Sequence, residues 1–355
     1  MQSEVRVIYE ECLKEQKTST ERLSFMKAVQ SGNVSMVMLL LHNGADIAER
    51  NDTGQTSLHI ATLNGNLEMV QVLLREGIDI EAKDNNDMTS LYYAARTGNE
   101  AILQILLQYG AGTSIIERNK GGSTVLHAIC SSGNEGTLHL LVGRLVELDA
   151  DLDTLDNDRK TALYRAAKNG HSAVVATMLA AGADSVGRPK PSSTSNERQK
   201  YHKTALQAAI KLGHEAVVDV LLVAGCKPTG SDLRVAVIGG YEAIVEKLVA
   251  AGADVNTRPS ITYSWTALQE AARNGYEAIV EKLVAAGADV NAPPRRSGKT
   301  ALQEAAYRGH EAIVEKLIAA GADINSTSAV RIGHGAIVEK LVAAGADIII
   351  SGCDD

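Results

Sequence analysis

One block of letters dominates this chain. EAIVEKLVAAGAD stands at 242–254 and again at 277–289, EAIVEKLIAAGAD at 311–323, and GAIVEKLVAAGAD at 335–347. Self-similarity at a spacing of 34–35 residues, shortened to 24 before the last copy, is the mark of a stacked-repeat protein, in which each unit buries its apolar face only against its neighbours. A chain of 355 residues would otherwise suggest two or three globular domains. Repetition replaces that expectation with one growing stack.

Aligned on the block, the units share a plan. Each opens on Thr-x-Leu, at Thr56, Thr89, Thr124, Thr161, Thr204, Thr266 and Thr300. A Thr there accepts an orphan backbone N–H at the start of a helix. A short first helix follows, whose Leu and Ala residues allow close approach of adjacent helices. It ends on a Gly suited to the left-handed region, as at Gly65, Gly98, Gly275 and Gly309. A second helix carries apolar residues at i, i+3, i+4 and i+7 and stops at Gly-Ala-Asp or its variants, before an extended stretch and turn.

The pattern resembles the ankyrin repeat, whose Thr-Pro-Leu-His-x-Ala, Gly-His and Gly-Ala-Asp signatures are matched in pieces by every unit. Thr56-Ser57-Leu58-His59-Ile60-Ala61 with Gly65 is a close match. The signature Pro is absent from all seven Thr-x-Leu sites. The six prolines (189, 191, 228, 259, 293 and 294) fall between repeats, where a missing N–H is tolerated. The resemblance implies an all-α solenoid of about ten helix-turn-helix units with short β-turn fingers. The near-identical C-terminal copies resemble arrays in large fungal proteins, where such units form the sensing end of receptors.

Departures from the pattern set the expected organisation. Val5, Ile8, Tyr9, Cys12 and Leu13 recur at helical spacing, so residues 1–20 are expected to form an N-terminal capping helix. Repeats 1–5 are expected over 21–184. A flexible Ser/Pro/basic insertion follows over 185–203, with about four net positive charges. Repeats 6–10 are expected over 204–350, the last degenerate, with a tail at 351–355. The closing Gly of one unit lies 12 residues before the next Thr at Gly44–Thr56, but only 6 separate Gly225 from Ser231, so the turn before repeat 7 is largely deleted. Repeat 4 is expected to lengthen its second helix, over Asn134–Leu148.

Composition narrows the chemistry. A net charge of −8 argues against a dedicated nucleic-acid binder. Four cysteines lie far apart with no ligand spacing, which suits a reducing compartment and no structural zinc. No apolar run approaches a membrane span, and from the polar N-terminus no signal peptide is expected. The expected location is the cytoplasm, with the nucleus as the alternative. No nucleotide-binding, nucleophile-elbow or metal-helix motif is present. His171, His214, His310 and His334 share one register position, and His59 and His127 another. Repetition in register points to bracing between units. The Glu246-Lys247 pair and its copies are expected on a solvated face. Neither a catalytic residue, a metal nor a cofactor is expected.

With one Phe, one Trp and ten Tyr, the core must be aliphatic, and each aromatic calls for its own explanation. Tyr92, Tyr93, Tyr164 and Tyr307 fall on first helices, and Tyr263 and Trp265 just before one. Arg96, Arg165, Lys168, Arg273 and Arg308 occupy neighbouring positions, and Arg295 and Arg296 lie in a turn. In the ankyrin repeat this side forms the concave groove and fingers. Aromatic and Arg side chains are enriched where binding energy concentrates. The resemblance therefore implies a non-catalytic scaffold that grips another protein or peptide through these residues. Space-filling between helices is the competing reading, for Tyr92 and Tyr164 above all. Two alternatives remain: a small-molecule pocket built from Tyr164, Arg165 and Lys168 with Tyr92 and Arg96, and self-association through the apolar C-terminal end.

Overall fold

A computed structural model describes residues 25–185, 204–258, 265–293, 299–325 and 335–345. The expected capping helix, insertion and tail therefore lie outside the described residues, apart from Ser185. Among those described, the structure consists of α-helices, one 3-10 turn (Thr113–Ile115) and no strand; a lone antiparallel bridge joins Arg50 and Thr56. The chain divides into two compact units, Met1–Ala162 and Leu163–Asp355.

The N-terminal unit stacks four helix pairs: α1 (Phe25–Gln30) with α2 (Val34–His42), α3 (Ser57–Leu63) with α4 (Leu67–Arg75), α5 (Ser90–Thr97) with α6 (Glu100–Gln108), and α7 (Val125–Ser132) with α8 (Glu135–Glu147). The C-terminal unit continues the plan. It has α9 (Ala162–Asn169) with α10 (Ser172–Ala180), α11 (Ala205–Leu212) with α12 (Glu215–Val223), and α13 (Gly230–Ile238) with α14 (Glu242–Ala250). Then come α15 (Ala267–Asn274) with α16 (Glu277–Ala285), α17 (Ala301–Arg308) with α18 (Glu311–Ala319), and α19 (Gly335–Ala343). First helices pack on first helices from α1 to α7 and again from α11 to α17, and within each unit second helices pack on second, so the core runs as a seam along the stacked pairs.

Local rules account for the starts and stops. Thr89, Thr204, Thr266 and Thr300 sit in extended backbone, and their hydroxyls accept the N–H three residues on. Behind each cap a Leu is wholly or almost wholly buried, as at Leu58, Leu91 and Leu268. Each such burial is worth about 1.5–3 kcal/mol. Paired alanines (Ala94–Ala95, Ala271–Ala272, Ala305–Ala306) are fully buried between adjacent first helices, where a larger side chain would push the stack apart. At Gly98, φ is +71°, and an added Cβ would meet the Asn134 amide nitrogen of the next repeat at 2.8 Å. Glycine is required there both for its backbone and for its missing side chain.

Two irregularities shape the stack. Helix α8 has 13 residues where the other second helices of its unit have 9, as the sequence predicts. Helix α13 starts earlier than expected, at Gly230 with Thr229 as its cap. The Asp232 carboxylate accepts from the Thr229 N–H at 2.9 Å and from its hydroxyl at 2.7 Å. With the usual turn deleted, Thr-x-x-Asp supplies a substitute start, and only residues 224–229 separate α12 from α13.

Candidate functional site

Most register-repeated polar groups are used internally. At the third helical position, the His59 Nδ1 accepts the Thr56 N–H at 3.1 Å while Nε2 lies 3.0 Å from the Met88 carbonyl of the next repeat. An acceptor at Nδ1 makes Nε2 the protonated nitrogen of a neutral ring, so Nε2–H donates to Met88. His127 repeats the geometry toward the Lys160 carbonyl at 3.1 Å. In the C-terminal unit, Gln269 does the same work: its Oε1 accepts the Thr266 N–H at 2.9 Å and its Nε2 donates to the Ala292 carbonyl at 3.0 Å. Burial pushes the His59 imidazole below its ordinary pKa. Protonation would put a second N–H against the Thr56 donor.

The residue after the helix-ending Gly braces in the other direction. Asn66, Asn99 and Asn134 cap second helices through their side chains, and the Asn134 amide also donates to the Gly98 carbonyl at 3.0 Å. In the C-terminal unit, His214 and His310 place Nε2 at 2.9 Å from the Lys168 carbonyl and 3.2 Å from that of Arg273. Tyr241 and Tyr276 share this register, which the sequence reading passed over. Their rings lie over the preceding Gly, so a Cβ at Gly213 would sit 2.6 Å from Tyr241. The bracing expected of these histidines is present, and aromatic tyrosines join it.

The Glu-Lys copies are more than a solvated face. The Lys247 ammonium lies 2.8 Å from Glu215 and 2.5 Å from Asp219, one repeat earlier. Lys282 pairs with Glu242 and Glu246, Lys316 with Glu277 and Glu281, and Lys340 with Glu311 and Glu315. Each lysine thus bridges two carboxylates of the preceding second helix. Its hydrogen bond to the nearer carboxylate raises the pKa of each lysine, and the bond from Lys282 lowers that of Glu246. No spacing within a single repeat reveals these pairs, because they form between units.

The candidate contact residues separate into three groups. Tyr92 and Tyr93 are 8% and 4% exposed and belong to the core, which corrects their expected place on the binding surface. The Tyr93 hydroxyl donates to Asp84 at 2.6 Å and accepts from Gln55 at 3.0 Å, and its ring meets His59 edge-on at 5.7 Å. Burial and the Asp84 bond raise its pKa. Tyr164 and Arg165 are half-buried, and burial also raises the Tyr164 pKa. Tyr263, Arg295 and Arg296 lie outside the described residues.

The third group is accessible. Arg96 is exposed above the Tyr93 ring, at 5.0 Å from its centre. In the C-terminal unit, Lys168, Tyr307 and Arg308 are exposed, Tyr307 at 55%. Arg273 and Lys299 are half-buried, Arg273 over the half-buried Trp265 ring at 3.9 Å and Lys299 over the Tyr307 ring at 3.2 Å. Lys211, Leu212 and Ile238 join this face, which sequence inspection missed. Leu212 and Ile238 are 46% and 45% exposed. The signal was available: Lys168, Lys211, Ile238, Arg273 and Tyr307 all lie at one register position, two residues before the Gly at 170, 213, 240, 275 or 309.

The family model described as Ankyrin repeats (3 copies) matches residues 25–117, 111–189 and 233–328. A search of curated proteins finds no match. Together these segments cover well over half of the chain. Thr-capped first helices, glycine stops and braced helix pairs account for the match in physical terms, and the chain belongs to the ankyrin repeat family, as an all-α repeat protein.

Proposed function

We propose that this protein is a non-catalytic interaction scaffold that holds a protein partner on the exposed face of its first helices. Ankyrin repeats are generally protein–protein interaction modules, and the family is typically non-catalytic. One observation carries the reading to this face. The register-repeated histidines, asparagines and glutamines are occupied in bracing, whereas Lys168, Lys211, Ile238 and Tyr307, near the ends of the first helices, are exposed. A rigid stack presents them at low ordering cost, which is what a recognition surface requires.

The test compares wild type with Ile238→Asp/Tyr307→Ala, and with Arg75→Glu on an exposed second-helix position of the N-terminal unit. Partners recovered from cells and identified by mass spectrometry are expected to be lost with the first-helix variant and kept with Arg75→Glu. Recovery of the same partners in equal amounts by all three would refute the assignment. A Tyr92 substitution is unsuitable, because that ring is core.

A further inference from the structure

We propose that the first-helix face of the C-terminal unit docks an acidic segment of a partner protein, anchored by one apolar side chain. This inference rests on the reading that this face is the recognition surface.

A contrast between two sets of cations carries it. On the second helices, Lys247, Lys282, Lys316 and Lys340 each contact two carboxylates. On the first-helix side, no carboxylate among the described residues pairs with Lys168, Lys211, Arg273, Lys299 or Arg308. Arg273 and Lys299 lie instead over the Trp265 and Tyr307 rings, which hold a cation in place while leaving its charge available. Among nearby acids, Glu304 is buried and Glu270 accepts from Asn274. In a chain of net charge −8, these five cations thus stand together on the first-helix side of one unit.

The centre of the face selects the kind of anion. Leu212 and Ile238 stand on consecutive first helices, with Lys211 beside Leu212 on α11, Lys168 on the first helix before them, and Arg273 and Arg308 on the two after. The shortened connection at residues 224–229 falls between these two helices. An apolar pair flanked by cations fits a peptide with carboxylates around an aliphatic or aromatic residue. It fits a nucleic acid less well, since a polyanion is also repelled by the acidic second-helix face. The span from α11 to α17 is three helix spacings of about 8–10 Å each. That matches roughly eight or nine residues of extended chain.

The experiment uses the whole chain and a synthetic peptide of about ten residues, rich in Glu with a central Leu, the length set by that span. Its comparison peptide has every Glu replaced by Gln. Binding is read from peptide anisotropy and from the single Trp of the chain, Trp265, which reports on the site directly. The acidic peptide is expected to bind, to weaken as salt rises, and to lose about tenfold in affinity with Lys211→Glu/Arg308→Glu. Both side chains are exposed and make no ring contact, so far-UV circular dichroism should be unchanged. Arg75→Glu is expected to bind as wild type.

Equal binding of the Glu and Gln peptides, no binding by the folded protein, or no effect of the double reversal would each overturn the proposal. A single-stranded oligodeoxynucleotide that bound more tightly and displaced the peptide would overturn the choice of a peptide. If both peptides bind equally and Ile238→Asp/Tyr307→Ala abolishes both, the face is right and its charge preference wrong. If that variant also leaves natural partners bound, the reading of the face falls as well.

Discussion

His59 allows a prediction in which another repeat of the same protein acts as the control. Its ring is wholly buried, accepts the Thr56 N–H and donates to the Met88 carbonyl. His59→Ala leaves both backbone groups without partners in a site from which solvent is excluded. Each orphaned group costs about 1–3 kcal/mol, and with the vacated ring volume the total is about 3–5 kcal/mol. His59→Gln should cost within about 1 kcal/mol, because Gln269 makes the equivalent two bonds in the same register and a conserved bond count leaves nothing unsatisfied. The two variants also separate in pH. Burial lowers the folded-state pKa of His59, so the unfolded chain binds the extra proton first as pH falls. The stability from the neutral ring is therefore fully present above the unfolded value, about 6.5. It is lost as pH falls below that, by up to about 1.4 kcal/mol per pH unit, until the folded ring itself protonates. Urea unfolding followed by circular dichroism on either side of that value tests both points. His59→Gln should destabilise far less than His59→Ala and should shed this part of the acid sensitivity. Equal destabilisation by Gln and Ala, or a wild-type-to-Gln difference independent of pH, would refute the assigned bonds and tautomer.

Three further outcomes follow from the same geometry. Gly98→Ala and Gly77→Ala both force alanine into left-handed backbone, at about 1–2 kcal/mol. Only at Gly98 does the new Cβ meet a neighbour, the Asn134 amide, so its thermal midpoint should fall further; equal shifts would argue against the contact. Raising salt from about 0.1 to about 1 M shortens the Debye length from about 10 to about 3 Å. This should destabilise the wild type more than a Lys282→Met/Lys316→Met variant, since those lysines form half of the inter-repeat ladder; identical salt responses would show that the ladder adds nothing. Asp232→Ala removes the acceptor of the Thr229 N–H and should cost about 1–2 kcal/mol, read from equilibrium unfolding. A change within error would place the start of α13 elsewhere.

The repeat was legible because local chemistry dictates it. Thr56 caps, Leu58 points inward, and Gly98 takes a positive φ wherever the same letters recur, with little help from distant residues. Even the 13-residue α8 could be read from spacing. The start of α13 was missed because Thr229-x-x-Asp232 lies two residues ahead of the register that Ser231 suggested. The candidate surface was less legible. Residue type promoted Tyr92 and Tyr93 as contacts, yet both rings fill space between helices, and Tyr93 joins a buried network with Asp84, Gln55 and His59.

Sequence alone determined the family, the helix pairs and, except at α13, the residues that start and stop them, since those depend on contacts a few positions apart. Only the tertiary structure decided which polar groups are already occupied. The partners of Lys282, His59 and Gln269 lie in adjacent repeats, 23 to 40 residues away, and stacking brings them within bonding distance. The same stacking buried Tyr93 and left Tyr307, Lys211 and Ile238 in solvent at the end of their helices. A side chain's neighbours along the chain set its backbone; its neighbours across the repeat interface set whether it is free to meet anything else.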